Sequence, residues 1–291
     1  MDWSQFDWLT NLVLSMQLSI AVLVIVSIGL AVVFGMMGII NLAHGEFLML
    51  GAYATLACVR AGINLWLSMG IAAFVVGVFG LVVERLLIRH LYGRLADSML
   101  ATWGLSLIMA QVMVLIFGPS TQGIATPLGS ITIGAYSVSG YSFVLIGAAV
   151  FLLAIVYWVF TRTPYGVMAR AAMQIPGMAS AVGINSKLIN AGTFAFGAAL
   201  AGAGGALLAP LVGVMPSMGQ AYIARAFMTV IVGGPGVISG TATSSVLLGG
   251  TENVVSYLST PFFGQAALLV LAIVLLRVLP TGISGRWQRQ L

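Results

Sequence analysis

Three polar residues stand close together in an otherwise apolar stretch of this chain. Asn41, His44 and Glu46 lie within the glycine-rich segment 35–51. Ionisable groups at membrane depth are costly and usually mark the pathway of a solute or an ion. An amide, an imidazole and a carboxylate beside such a path would supply hydrogen-bond donors and acceptors to a solute.

The same side chains could instead brace a helical bundle. In that interpretation His44 and Glu46 satisfy each other and neighbouring carbonyl groups. If the segment is helical, Asn41 and His44 form an i,i+3 pair on one face. Glycines in the segment either break the helix or let another backbone come close, and they are Gly35, Gly38, Gly45 and Gly51. Residue types alone leave both interpretations open.

The composition indicates which solvent surrounds the chain. Of its 291 residues 60% are apolar and 6% are charged, whereas roughly a quarter of a soluble domain is charged. Segments long enough to cross a membrane, about 20 residues for a helix, lie near 9–34, 35–58, 65–83, 99–117, 142–160, 191–212 and 264–280. The region 223–260 is apolar but broken by glycines, which predicts two short spans or a re-entrant pair. We therefore expect an all-α, polytopic transmembrane bundle of about seven to nine spans, forming one integral-membrane domain over residues 1–291.

The basic residues predict an orientation. Eight of the 11 lie in two loops and at the C-terminus, and they are Arg85, Arg89, Arg94, Arg162, Arg170, Lys187, Arg286 and Arg289. The positive-inside rule places them in the cytoplasm, with the acidic N-terminus and the uncharged loop 118–141 outside. The chain is thus predicted N-out and C-in. The net charge of +5 is a topology signal and predicts no nucleic-acid partner.

A second polar and flexible site is predicted far along the chain. Glu252 lies in an apolar stretch, and Gly233, Gly234 and Gly236 surround a proline in a predicted helix break. Two broken apolar segments, one in each half, are typical of inverted repeats that meet around a central solute site. Between these two sites, the Gly- and Ala-rich segment 194–205 predicts close helix packing.

The loop 161–190 is too polar to cross a membrane but carries apolar residues at helical intervals. These residues predict one face of a short helix that Pro176 stops, and they are Val167, Met168, Ala171, Ala172 and Ile175. Such a helix either packs on the membrane surface or lies in a groove of a partner protein. The periodicity leaves these two alternatives open.

Catalytic and redox motifs do not fit this sequence. The run His44-Gly-Glu46 is not the His-Glu-x-x-His zinc helix, and the single Cys58 has no partner at metal-ligand spacing. The only lysine, Lys187, is not in a phosphate-binding loop, so the chain cannot be its own ATPase. We expect no catalytic residue, metal ligand or cofactor on this chain.

Four stretches together resemble a known family: Gly38–Glu46 with Gly51; Gly166–Ala171 with Met178–Ile184; Phe227–Gly240; and Leu279–Gly285. They are similar to the permeases of ATP-binding-cassette importers for branched-chain amino acids, and to the urea and short-amide branch of that family. The resemblance runs over nearly the whole chain. It implies a bacterial inner-membrane importer with a second, related permease subunit, two cytoplasmic ATPase subunits that bind ATP and Mg²⁺, and a periplasmic substrate-binding protein.

The resemblance also implies residue roles and a substrate. The helix 164–176 would be the coupling helix that docks on the ATPase, through Tyr165, Gly166, Met168, Arg170, Ala171 and Gln174. The stretches 100–107 and 217–222 look more like the urea branch, so urea or a short amide is the expected solute and a branched-chain amino acid is the alternative. Asn41, His44, Glu46 and Glu252 would line or brace the path.

Two hypotheses from other classes make different predictions. An ATP-independent channel for a small neutral solute would leave the helix 164–176 dispensable. A membrane enzyme that uses His44 and Glu46 as acid and base would turn over a substrate as the purified chain alone.

Overall fold

The computed structural model describes residues 7–133 and 136–288, and this part of the chain is mostly helical. Its helices are α1 (Asp7–Met37), α2 (His44–Arg60), α3 (Leu65–Leu86), α4 (Leu95–Phe117), α5 (Tyr141–Arg162), α6 (Pro164–Gln174), α7 (Pro176–Ala181), α8 (Ser186–Val212), α9 (Met218–Gly233), α10 (Val237–Leu258), α11 (Pro261–Val278) and α12 (Gly282–Gln288). A 3-10 turn, Ile88–His90, follows α3. Between α4 and α5, β1 (Ser130–Ile133) pairs antiparallel with β2 (Tyr136–Ser139), with Ser130 opposite Ser139.

Six stretches of the described chain are long and apolar enough to cross a membrane as single helices. They comprise α1, α3, α4, α5, α8 and α11. A further pair, α9 and α10, passes the same test together and is bent by 116° at the break between them. The prediction of a polytopic helical bundle is confirmed. The number of crossings and the N-out, C-in orientation stay predictions.

The second predicted span differs from the structure. The sequence predicts a span over 35–58, but α1 continues to Met37 and α2 begins only at His44. Gly38 has φ +65°, a left-handed conformation that ends the first helix and that glycine adopts without steric cost. The helix that follows has 17 residues, about 26 Å of rise.

The core lies where α1 and α8 meet α2 and α3. Buried residues of α1 include Leu23, Ile25 and Ile28, and α8 contacts α3, α2 and α1. A Cβ at Gly205 of α8 would lie 1.7 Å from the Leu48 carbonyl oxygen of α2. The close packing predicted for segment 194–205 is therefore confirmed, because only a residue without a side chain permits this approach of two backbones.

The loops gather at two ends of the bundle. The basic end, as we call it, consists of residues 38–43, 87–94, 163–185, 234–236 and 279–281. A cavity of about 330 Å³ there is lined by Arg85, Arg89 and Lys187, which the sequence placed in two separate loops. At the opposite end, formed by 61–64, 118–133, 136–140 and 213–217, Arg60 donates a hydrogen bond to Gln122, whose backbone pairs with that of Val214.

Candidate functional site

The first polar site is built around the start of α2. Residues 38–43 form a loop, in which the Asn41 side-chain oxygen accepts a hydrogen bond from the Ala43 amide at 3.1 Å and its carbonyl accepts one from the His44 amide at 3.2 Å. Asn41 therefore shapes the turn that starts the helix. Because Asn41 lies in the loop and α2 begins only at His44, the two residues do not form the i,i+3 pair that a continuous helix would give.

His44 fastens α2 to α1. Its side chain is buried, and its Nε2 lies 2.9 Å from the Val26 carbonyl oxygen in the middle of α1. The ring fits there because Gly29 carries no side chain, and a Cβ at that position would lie 3.1 Å from the His44 Cε1. In this structure His44 is satisfied by a backbone group.

Glu46 contacts two other helices. Its Oε1 accepts a hydrogen bond from the Ser106 hydroxyl of α4 at 3.0 Å. Its Oε2 is buried without a hydrogen-bond partner and lies against Gly219 of α9, where a Cβ would come within 2.5 Å of it. Ser106 was not singled out from the sequence as a partner of Glu46, and a separation of 60 positions gives no local signal.

One part of the bracing interpretation, a contact between His44 and Glu46, is not observed, whereas the other part, a bond to a neighbouring carbonyl group, is present at His44. The two residues bond to different helices, because positions two apart on an α-helix are separated by about 200° and face different neighbours. His44 points to α1, whereas Glu46 points to α4 and α9. The three polar residues share a segment but not a hydrogen-bond network.

Gly45 and Gly51 are contact points rather than breaks, since α2 continues through both. A Cβ at Gly45 would lie 2.2 Å from the Gly219 carbonyl oxygen, and one at Gly51 would lie 2.1 Å from the Gly202 carbonyl oxygen. Of the two roles that the sequence allowed for these glycines, close backbone approach is the one observed. Gly38 has the other predicted role, since it interrupts the helical conformation between α1 and α2.

Glu252 belongs to a different part of the site. Its Oε1 lies 3.3 Å from Nη1 of Arg225, so an ion pair joins α10 to α9. Both side chains stay partly accessible, at 13% for Glu252 and 26% for Arg225. Next to Glu252, Asn253 hydrogen-bonds with Ser15 and Ser19 of α1. The sequence identifies the carboxylate, but its cationic partner is 27 positions away and follows only from the packing of the two helices.

The predicted break between α9 and α10 is present, and a residue from the C-terminal helix holds it. The Ser284 hydroxyl donates to the Gly233 carbonyl oxygen at 2.6 Å and accepts from the Gly236 amide at 2.8 Å. Gly234 has φ +80°, which favours glycine. Ser284 has no predicted role of its own from the sequence, although this residue lies in the stretch 279–285 that carries part of the family resemblance.

The predicted coupling helix exists as α6, and it is anchored firmly. The Thr163 hydroxyl caps it by accepting from the Gly166 amide at 3.2 Å. The Tyr165 hydroxyl lies 3.0 Å from the Ile189 carbonyl oxygen and 2.8 Å from the Thr193 hydroxyl, both in α8. Burial raises the pKa of Tyr165, so its phenol stays protonated and available as a donor.

The buried face of α6 differs from the predicted one. Gly166, Ala169 and Ala172 face inward, whereas Val167 and Ile175, assigned to the apolar face, are 55% and 62% exposed. The prediction was wrong for Val167 and Ile175, whereas Ala172 is buried as predicted and Met168 and Ala171 are half-buried. The inward position at the start of α6 is taken by a glycine because the backbone of α5 is close: a Cβ at Gly166 would lie 2.4 Å from the Phe160 carbonyl oxygen.

The other residues assigned to coupling divide between the two faces of α6. Met168, Arg170 and Ala171 are half-buried and Gln174 is exposed. Exposed apolar residues occur along both α6 and α7 at the basic end of the bundle, and we call them the docking stripe after the role proposed for them below. Its members are Val167, Met173, Ile175, Met178 and Val182.

Residues 12–279 match the family model described as the permease component of branched-chain amino acid transport systems. The chain belongs to this family. It is 31% identical over 282 residues to the high-affinity branched-chain amino acid transport system permease protein LivH of Salmonella typhimurium, covering 90% of this chain and 91% of that protein. It is 32% identical over 280 residues to BraD of Pseudomonas aeruginosa, described in the same words, with 90% and 91% covered. A probable branched-chain amino acid transport permease protein LivH of Methanocaldococcus jannaschii is 28% identical over 281 residues, with 90% and 88% covered. No solved structure matches the chain.

These matches confirm the family that the sequence motifs indicate. They also identify the chain as a multi-pass protein of the inner membrane, in agreement with its long apolar helices. The three relatives named above are all described as branched-chain amino acid permeases. They do not support the preference for the urea branch.

Proposed function

We propose that this chain is a permease subunit of an ATP-driven importer for branched-chain amino acids. The observation that carries the proposal is the family match over residues 12–279, together with relatives named for these solutes. In this proposal ATP is hydrolysed on separate subunits, a soluble protein delivers the solute, and a second permease subunit completes the path. The expectation of urea or a short amide rested on two short stretches, 100–107 and 217–222, and yields to the amino-acid alternative.

The ATPase subunits would bind at the basic end. The docking stripe lies there on α6 and α7, and α6 is tied to α8 through Tyr165. A push on α6 would therefore move α8, the glycine-rich helix that contacts α1, α2 and α3. Basic residues from separate loops gather at this end, which supports a cytoplasmic location by the positive-inside rule and a chain that begins outside.

The polar residues at the start of α2 would have two different roles, one structural and one in the movement of the helices. Asn41 and His44 bond to backbone groups and would brace the junction of α1 and α2. Glu46 keeps one carboxylate oxygen without a hydrogen-bond partner and lies where α2, α4 and α9 meet. A carboxylate in that position would respond to relative movement of these helices during alternating access, because the one side-chain hydrogen-bond partner that it has among the described residues, Ser106, is on α4.

Solute and energy coupling are tested together by uptake into proteoliposomes that hold the purified importer, its binding protein and internal ATP. We expect uptake of radiolabelled leucine that depends on ATP, and no uptake of urea. Urea uptake without leucine uptake would return the protein to the urea branch. Uptake of either solute without ATP would refute the importer in favour of a channel.

The docking stripe is tested in the same assay. Ile175→Glu places a charge on the stripe and should abolish ATP-dependent uptake, and Arg170→Glu should do the same from the edge of α6. Ile131→Glu is the control, since Ile131 is an exposed β1 residue at the other end of α5, about 33 Å away along that 22-residue helix. Equal losses in Ile131→Glu and Ile175→Glu would show that the stripe has no special part in coupling.

A further inference from the structure

The ion pair between α9 and α10 is the feature of the bundle that the bracing of α2 and the docking stripe leave unexplained. Arg225 and Glu252 lie on α9 and α10, which together are long and apolar enough to cross a membrane, where charges are expensive. An ion pair is a poor way to hold two helices together, since well-packed apolar residues in its place commonly give equal or greater stability. The charges therefore call for a further role.

The two charges are placed so that a small solute can reach them. Both side chains stay partly accessible, and Tyr222, one turn before Arg225, lies within electrostatic reach of both. The helices that carry the pair are joined through the glycine-rich turn 233–236 and bent by 116°. Apart from this ion pair, the described structure shows no side-chain hydrogen bond of Arg225 or Glu252, so a solute that replaces one partner of the pair breaks no further side-chain hydrogen bond of the two residues.

On α9, the surface beside the pair differs from the outer surface of α4, whereas the exposed residues next to Glu252 on α10, Val254 and Tyr257, are large and apolar. The exposed positions of α4 are mostly large and apolar, among them Leu100, Trp103, Ile108 and Leu115. The exposed positions next to Arg225 on α9 are instead Gln220, Ala221 and Ala224. Small and polar residues on an outer helix face at this depth are typical of a wall that lines a cavity or meets another subunit rather than lipid.

We propose that Arg225 and Glu252 form a binding site for the charged ends of a zwitterionic α-amino acid. The solute carboxylate binds the guanidinium of Arg225, and the solute ammonium binds the carboxylate of Glu252. The ion pair between the two side chains is thereby replaced by two ion pairs with the solute. The pair stays neutral as a whole in both states, so the site never leaves a single charge unpaired. The inference rests on the proposed function, because a zwitterion is the solute class that brings both charges.

Neutral variants test the site by a double-mutant comparison in the leucine uptake assay. If the pair only locks two helices, each single change, Arg225→Gln or Glu252→Gln, leaves one charge without its partner, and the double change restores uptake. If each residue binds one end of the solute, the double variant is worse than either single one. We expect the double variant to lose at least tenfold in leucine uptake while it still assembles with its partners. Arg60→Gln is the control, because it also removes a charge but from an exposed arginine at the opposite end of the bundle, where its partner is the uncharged Gln122.

A second measurement does not depend on how well the double variant folds. Ala224→Cys, in a chain with Cys58→Ser, places a thiol beside the site in the assembled complex with its charges intact. We expect leucine to slow maleimide modification of this thiol, and leucinamide and 4-methylpentanoate, which each lack one charge, to do so at least tenfold less well. Equal protection by all three compounds, or protection by none, would overturn the site.

The outcomes separate the site from the function. A wild-type importer that does not take up leucine would refute the proposed function itself. A wild-type importer that does, with a double variant that matches it or exceeds both single variants, would refute the ion-pair site alone and leave the function standing.

Discussion

Replacement of Gly51 by alanine should force α2 away from α8. A Cβ at position 51 would lie 2.1 Å from the carbonyl oxygen of Gly202 and 2.6 Å from its Cα. Carbon atoms in favourable contact are about 3.5–4.0 Å apart. Because the obstructing atoms belong to the backbone, no side-chain rotation relieves the overlap, and the helices must separate by about 1 Å or more.

The size of the effect follows from two opposing terms. Extra carbon in a well-packed core costs about 1–3 kcal/mol, whereas alanine in a helix interior gains up to about 1 kcal/mol over glycine. The overlap at position 51 is severe, so we expect a net loss of about 1–2 kcal/mol. At about 2–4 °C per kcal/mol for a domain of similar size, this lowers the Tm by about 2–8 °C.

The matched control is Gly70→Ala in α3. Nothing lies within 4 Å of a Cβ at Gly70, so the same chemical change should leave the Tm equal to that of the wild type or slightly above it. Both variants are to be melted in one detergent, with the fraction that remains monodisperse measured after heating. If Gly51→Ala melts with the wild type, or if Gly70→Ala loses as much, the argument from backbone contact is refuted.

Three further changes test individual contacts. Ser284→Ala removes the hydroxyl that holds the turn 233–236 and leaves a carbonyl and an amide unpaired, so it should cost about 1–3 kcal/mol and lower the Tm, whereas a variant with an unchanged Tm would show that the turn does not need this clasp. Ser106→Ala deprives Glu46 of its hydrogen bond and should lower stability by a similar amount, about 1–3 kcal/mol, while Ser106→Thr should preserve it; equal melting of the two would contradict the role of the hydroxyl. Tyr165→Phe keeps the ring but removes the bonds to α8, so leucine uptake should fall while assembly persists. Because burial raises the pKa of Tyr165, its phenol stays neutral below the ordinary value near 10, and the ratio of variant to wild-type uptake should be the same between about pH 6 and pH 9. A ratio that changes over this range would show that the phenol titrates there.

Several features of this protein follow from short stretches of sequence. The scarcity of charge and the apolar runs indicate a helical membrane protein, because hydrophobicity is a property of each segment by itself. Pro176 stops α6 as predicted, because proline disfavours helical backbone at its own position and at the one before it. Gly38 also ends α1 through its own backbone, although the sequence placed it inside a span over 35–58. The small residues of 194–205 predict a close helix contact, although they do not indicate which helix is in contact.

The tertiary structure decided how the polar residues are paired. Glu46 meets Ser106 across 60 positions, and Ser284 reaches the turn at Gly233 across 51. These partners depend on which helices lie side by side, and a periodic pattern within one segment carries no record of its neighbours. A charged or hydroxylated residue can therefore be recognised from the sequence while its partner cannot.

The face of α6 shows the same limit for packing. Hydrophobicity predicted that Val167 and Ile175 point inward, but the backbone of α5 lies so close that Gly166 and its small neighbours occupy the inward positions. The sequence by itself determined that a short helix forms at this place and where it ends. Only the tertiary structure decided which face is free for a partner, because that depends on the distance between two backbones rather than on the polarity of the residues.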